Sequence, residues 1–200
     1  MRDQTLKRIK KKYARQAYFT IADAVKMDIH PEVIRRMTNK GEIDRIRRGA
    51  YRVIGAELTE KNSLALAAKA VPKGVICLAT ALRFHGITTQ LPALVWIAIE
   101  NKMWRTKQID TGLQLVFFSG ESFTSGVEDH LVEGVTVRVY NPAKTVADCF
   151  KYRNKIGLDV ALEALKEGRR SRKFTADELT KYARIDRVLN VIKPYMEAVF

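Results

Sequence analysis

The stretch GEIDRIRRGAYRV, Gly41–Val53, sets four arginines among apolar residues, and its one internal glycine, Gly49, follows Arg47-Arg48. Ile43 and Ile46 precede that glycine; Tyr51 and Val53 follow it. The spacing predicts two short strands folded back around Gly49, which accepts the positive φ of a tight connection. Directly upstream, PEVIRRMTNKG begins with Pro31, suited to the first position of a helix, and Gly41 is placed to end it. Val33, Ile34 and Met37 share one side of that helix. Glu32, Arg35, Arg36, Asn39 and Lys40 are left facing outward.

Working back towards the N-terminus, Thr20 and Asp23 have capping-box spacing, and Ile21, Ala24 and Val25 give a short helix its apolar face. MDIHP breaks that helix. Earlier still, Leu6, Ile9, Tyr13 and Ala17 form the apolar stripe of an amphipathic helix otherwise filled by lysine and arginine. Two helices, a tight turn, a polar-faced helix and a hairpin are the order of a winged helix-turn-helix. Arg and Asn on the third helix suit guanine and adenine edges in the major groove; Lys suits phosphates. The wing arginines would meet phosphates or a narrow minor groove. The predicted DNA-binding set is Lys10, Lys11, Thr20, Arg35, Arg36, Asn39, Lys40, Arg45, Arg47 and Arg48. The simpler reading of the third helix alone is a solvated face; the hairpin behind it favours DNA.

Charge agrees. The 200-residue chain has a formal net charge of +14. Residues 1–55 hold 15 Lys/Arg against 6 Asp/Glu, whereas the other 145 hold 21 against 16. A basic excess concentrated in this way is the footprint of a polyanion binder. The predicted division is therefore a DNA-binding domain over 1–55 and a second domain over 56–200. Hydrophobic residues make up 46% of the chain, enough for a core. No apolar run approaches the ~18 residues of a membrane span, and the basic N-terminus lacks the apolar segment of a signal peptide. A cytoplasmic protein without membrane association is expected. Cys77 and Cys149 lie in apolar surroundings and read as small buried hydrophobes. Together with three scattered histidines they make no metal-ligand spacing.

Beyond residue 55 the patterns alternate. Ser63–Val71 is helical and ends at Pro72-Lys73-Gly74. VICLATALRFHGI starts strand-like and continues as a helix to Gly86. ALVWIAIE and LQLVFFS read as strands, and HLVEGVTVRVY as a hairpin around Glu133-Gly134. Asn141-Pro142 starts a helix, Leu158–Leu165 continues helically, Thr175 with Glu178 makes a second capping box, and a last helix runs from about Arg187 to Val199. The expected fold class is α+β: an N-terminal winged helix-turn-helix and a C-terminal mixed α/β domain with a small sheet.

No catalytic constellation emerges, and no enzyme or cofactor is expected. There is no Gly-rich phosphate loop and no nucleophile motif. FSGES is not followed closely by the paired aspartates that a nucleotidyltransferase needs. His85 reads as a hydrogen-bonded structural residue, His130 carries no stronger signal, and Asp148 is expected to pair with Lys144. Trp96 and Trp104 are expected to pack the sheet. The basic run EGRRSRKF offers Arg169, Arg170, Arg172 and Lys173 to an acidic partner or to nucleic acid; a solvated loop between helices is the simpler alternative.

The segments YFTIADAV, VIRRMTNKGEIDRIRRGAYRV, ATALRFHGI and VRVYNPAKTVADCFKYRNKIGLDVALEAL resemble the AbiEi-like antitoxins of type IV toxin–antitoxin systems, which act in abortive infection, and the likeness runs from about Tyr18 to the end. It implies a winged helix that binds inverted repeats in double-stranded DNA of its own promoter and represses the operon. It also implies a larger C-terminal domain that counters a nucleotidyltransferase-like toxin, with no cofactor. The alternative is a stand-alone winged-helix regulator whose C-terminal domain senses a ligand or mediates assembly.

Overall fold

A computed structural model describes residues 2–13, 19–47, 49–54, 62–100 and 112–200; the side chains of Arg2, Asp3, Ile46, Arg47 and Ala50 are outside that description. The chain divides into two compact units, residues 1–66 with 131–135 and residues 67–130 with 136–200. The fold is α+β, with small sheets among helices.

In the first unit, helix α1 (Arg2–Tyr13) is followed by β1 (Phe19–Thr20), α2 (Ile21–Val25), α3 (Pro31–Asn39), β2 (Ile43–Arg47) and β3 (Ala50–Val53). Thr20 caps α2 reciprocally with Asp23: its hydroxyl accepts from the Asp23 N–H, and the carboxylate accepts from the Thr20 N–H at 2.9 Å. Pro31 stands at the start of α3, where a missing N–H costs nothing. Past the end of that helix Gly41 adopts φ +66°, and Gly49 adopts φ +79° at the hairpin turn; both need the freedom of a residue without Cβ. The strands form an antiparallel sheet in the order β1-β3-β2, with Phe19 opposite Tyr51 and Ile43 opposite Val53. The register shifts between Arg45 and Arg47, a bulge that sharpens the twist near the hairpin tip. Phe19, Ile9, Ile34 and Ile43 are fully buried in one cluster with Tyr13, Met37 and Val53. Each such side chain contributes about 1.5–3 kcal/mol by burial. Tyr13 stacks on Phe19 at 5.1 Å between ring centroids, which holds α1 against the sheet.

Phe19-Thr20 forms a strand as well as the helix start that the sequence predicted. Ala17, assigned to the first amphipathic stripe, lies outside the described residues.

Downstream come α4 (Asn62–Ala70), β4 (Val75–Ile76), α5 (Leu78–His85), β5 (Val95–Glu100), β6 (Leu113–Phe118), α6 (Glu121–Thr124), β7 (Val127–Val132) and β8 (Val135–Tyr140). Helices α7 (Pro142–Lys151), α8 (Arg153–Ile156), α9 (Leu158–Arg170), α10 (Ala176–Ile185) and α11 (Leu189–Val199) complete the chain. The five strands lie in the order β6-β5-β4-β8-β7, with β4 antiparallel to β5, parallel to β8, and β5 parallel to β6. Leu82, Val146, Phe150, Leu165, Leu179 and Ile192 fill the helical side of the core. Asn141 caps α7 by accepting from the Lys144 N–H, and Thr175 with Glu178 forms the second capping box. The last helix starts at Leu189 rather than near Arg187, because Arg187 takes φ +58° after the end of α10.

Within this core sits a buried ionic group. The Lys144 ammonium, fully buried, donates to the carboxylates of Asp148 and Asp186. Asp186 also accepts from the Ser122 hydroxyl at 2.5 Å and faces Lys151 at 3.6 Å. The ammonium lies 4.6 Å from the Tyr140 ring centroid and 4.8 Å from that of Phe118. Burial works against the charge on Lys144, but the two carboxylates outweigh it and hold its pKa above the usual lysine value. Burial pushes the Asp148 carboxyl well above its usual range, against the pull of Lys144. The Lys144–Asp148 pair matches expectation; Asp186, from 42 residues further along, does not announce itself in the sequence. His85 Nε2 lies 2.7 Å from the Tyr140 carbonyl, the structural bond expected of it. Cys77 and Cys149 are buried free thiols, Trp96 packs against the core, and Trp104 lies outside the described residues.

Candidate nucleic-acid interface

Helix α3 turns Ile34 and Met37 into the core, with Val33 half-buried at its margin. Glu32, Arg35, Arg36 and Asn39 recur at three- and four-residue intervals on the side away from the core, forming one outward stripe that exposed Lys40 extends. Arg35 and Arg36 are exposed; Asn39 is exposed at the end of the helix. His30 caps the helix, its Nδ1 accepting from the Glu32 N–H at 3.3 Å, and Thr38 bonds back to the Ile34 carbonyl at 2.9 Å. Thr38 is therefore turned inward along the helix, and the stripe keeps its Arg and Asn ends for a ligand. Arg35 reaches Glu32 only at 3.9 Å, with both side chains largely in water. Such a pair contributes at most about 1 kcal/mol and gives way readily to a base or phosphate.

The hairpin follows α3 after two residues past Lys40. Arg45 is exposed on β2 and Arg47 lies at its end, opposite Ala50; Arg48 lies outside the described residues. Arg52 is differently engaged. On β3 it faces Asp44 across the ladder and donates to its carboxylate at 2.8 Å. Of the two arginines of the quoted stretch whose side chains are described, Arg45 is exposed and Arg52 ties the two wing strands together. On α1, Lys10 and Lys11 are exposed, whereas Arg8 donates to the Met27 carbonyl at 2.8 Å and ties α1 to the turn after α2. The Thr20 hydroxyl is engaged with Asp23, at 2.9 Å to the carboxylate and 3.1 Å from the Asp23 N–H. Two acids of this unit are engaged locally: Asp23 is held by the cap and Asp44 by Arg52. Burial chiefly, and Asp23 secondarily, push the Tyr13 phenol above its usual pKa, so it stays neutral.

A polar stripe on a helix that buries its other face, followed by a bulged basic hairpin in a three-stranded sheet, is the geometry of a winged helix. Residues 8–54 match the family model described as transcriptional regulator, AbiEi antitoxin. No curated protein matches the chain. The matched span runs from within α1 to the end of the wing, so the AbiEi likeness falls on the winged-helix elements and supports a general DNA-binding regulatory role.

The second unit holds the other predicted set. Arg169 and Arg170 end α9, and Arg172 and Lys173 lie in the turn to α10; all four are exposed. Arg170 is held by Glu167 in a two-pronged pair at 2.9 and 3.0 Å. Among the described residues there is no group of three or more His, Cys, Asp or Glu able to hold a metal ion, and no helix long and apolar enough to cross a membrane. What sequence reasoning missed in the first unit are the supports: Arg8, Phe19 and Arg52 act through long-range partners.

Proposed function

We propose that this protein is a sequence-specific repressor of its own promoter and the antitoxin of a type IV toxin–antitoxin pair, countering a nucleotidyltransferase-like toxin. Residues 1–55 form the DNA-binding domain and residues 56–200 the antitoxin domain. Helix α3 lies in the major groove, with Arg35 and Arg36 towards guanine and Asn39 towards adenine. Lys10, Lys11, Lys40, Arg45, Arg47 and Arg48 neutralise phosphates or enter a narrow minor groove, whereas Thr20, expected among the contacts, directs both its donors to the Asp23 carboxylate and caps α2 instead. The observation that carries this reading is the exposed Arg35-Arg36-Asn39 stripe beside the Arg45-bearing wing. The AbiEi match supports the antitoxin half.

Binding to the protein's own upstream DNA, measured against a scrambled duplex, tests the repressor half. Co-expression with the neighbouring gene tests the antitoxin half: a toxic neighbour rescued by this chain is the expected result, and a harmless neighbour or failed rescue removes that half. A cleft of about 260 Å³ lined by Val71, Gly74, Ile99 and Phe123 favours one second reading, a regulator whose C-terminal domain takes up a small apolar ligand.

A further inference from the structure

The turn between α9 and α10 borders a cleft of about 580 Å³. Arg169, Arg172 and Lys173 line it, with buried Phe174 and half-buried Ala176 as its apolar floor and the exposed Phe200 ring as a wall. Phe200 also lines a neighbouring cleft of about 360 Å³ beside Arg184 and Lys193. The one acid in the first cleft's lining, Glu178, is turned onto the Thr175 N–H at 2.8 Å. Arg170 is already held by Glu167, but Arg169, Arg172 and Lys173 face no carboxylate among the described residues. Three unneutralised cations around an apolar floor call for an anionic ligand that also brings an apolar group.

We infer that this cleft seats an acidic protein segment, its carboxylates on Arg169, Arg172 and Lys173 and an apolar side chain laid against the exposed Phe200 ring, which itself rests on Phe174 at 6.5 Å between centroids. Two observations favour a peptide over nucleic acid. The Arg169 guanidinium already lies 5.0 Å over the Phe200 ring, so a face that would stack a base is taken. The capping box occupies the Thr175 and Glu178 N–H groups at the start of α10, so they are not free to cradle a phosphate. This surface is independent of α3 and the wing, and its failure would leave the DNA-binding reading untouched.

The test is selection of a displayed library of random 12-residue peptides on the full chain, followed by fluorescence anisotropy with the selected peptide. Enriched peptides should carry Asp or Glu flanking Leu, Phe or Trp. Arg169→Glu/Lys173→Glu should weaken their binding at least about tenfold, and Arg170→Glu less than about twofold. Circular dichroism should show the wild-type fold in both variants. Arg172 is left unchanged because at its φ of +52° the backbone cost differs with the residue placed there, lowest for Gly, Asn and Asp. Enrichment without acidic residues, or equal damage from Arg170→Glu, overturns the proposal. So does displacement of the peptide by an equimolar 20-residue oligothymidylate, which would assign the cleft to nucleic acid.

Discussion

Replacing Lys144 with Met keeps most of its volume and removes a fully buried cation from between two buried carboxylates. Removing one partner of a buried ion pair costs about 3–5 kcal/mol, because the charge left behind is uncompensated. For a protein of this size 1 kcal/mol corresponds to about 2–4 °C, so the melting temperature of the second unit should fall by roughly 6–20 °C at neutral pH. The loss should also depend on pH. Burial already pushes the Asp148 carboxyl well above its usual value while Lys144 pulls it down, so losing Lys144 raises it further. A carboxyl whose folded pKa lies above its unfolded value of about 3.9 favours folding in its protonated form, so stability falls as pH rises through that window. The gap between variant and wild type should therefore be widest at pH 7 and narrow towards pH 4–5. Calorimetry across that range checks this. A loss below about 1 kcal/mol, or one that is flat with pH, would show that the cluster is not held by Lys144.

Further outcomes concern the DNA-facing unit. Asn39→Ala should cost about 1–3 kcal/mol on the preferred operator and relax the preference at one base pair, read by binding to a panel of single-base variants. Arg45→Ala should weaken binding evenly across that panel and reduce the slope of log affinity against log salt by about 0.9; six phosphate-facing cations give the wild-type unit a slope of about −5. If both variants lose sequence preference alike, the division between reading helix and wing fails. Thr20→Ala removes half of the cap on α2 and should destabilise the first unit by about 0.5–2 kcal/mol, seen by chemical denaturation.

The N-terminal unit was legible because its signals are local. Thr20 and Asp23 lie three residues apart, Pro31 and Gly41 bracket α3, and the apolar set Val33, Ile34, Met37 has helical period. Asn141-Pro142 and Thr175 with Glu178 gave away two later helices for the same reason. What escaped depends on chain that returns from far away. A two-residue strand such as Phe19-Thr20 has no periodicity, and only Tyr51 and Ala50 opposite it make it a strand. Asp44 and Arg52 pair through the hairpin register, and Arg8 finds a carbonyl 19 residues on. Asp186 carries no local signal at all; its burial beside Lys144 depends on how α10 packs on α7. The order of the five strands mixes parallel and antiparallel neighbours, and short apolar runs of similar character carry no signal for it.

Recognition of DNA by α3 and the wing is tested most directly by one ratio: affinity for the protein's own upstream duplex over affinity for a scrambled duplex of equal length and composition, at about 150 mM salt. Expected is a preference of at least about a thousandfold, the low end for specific DNA-binding proteins. Equal affinity for the two duplexes would contradict base reading by Arg35, Arg36 and Asn39 and leave only a basic surface.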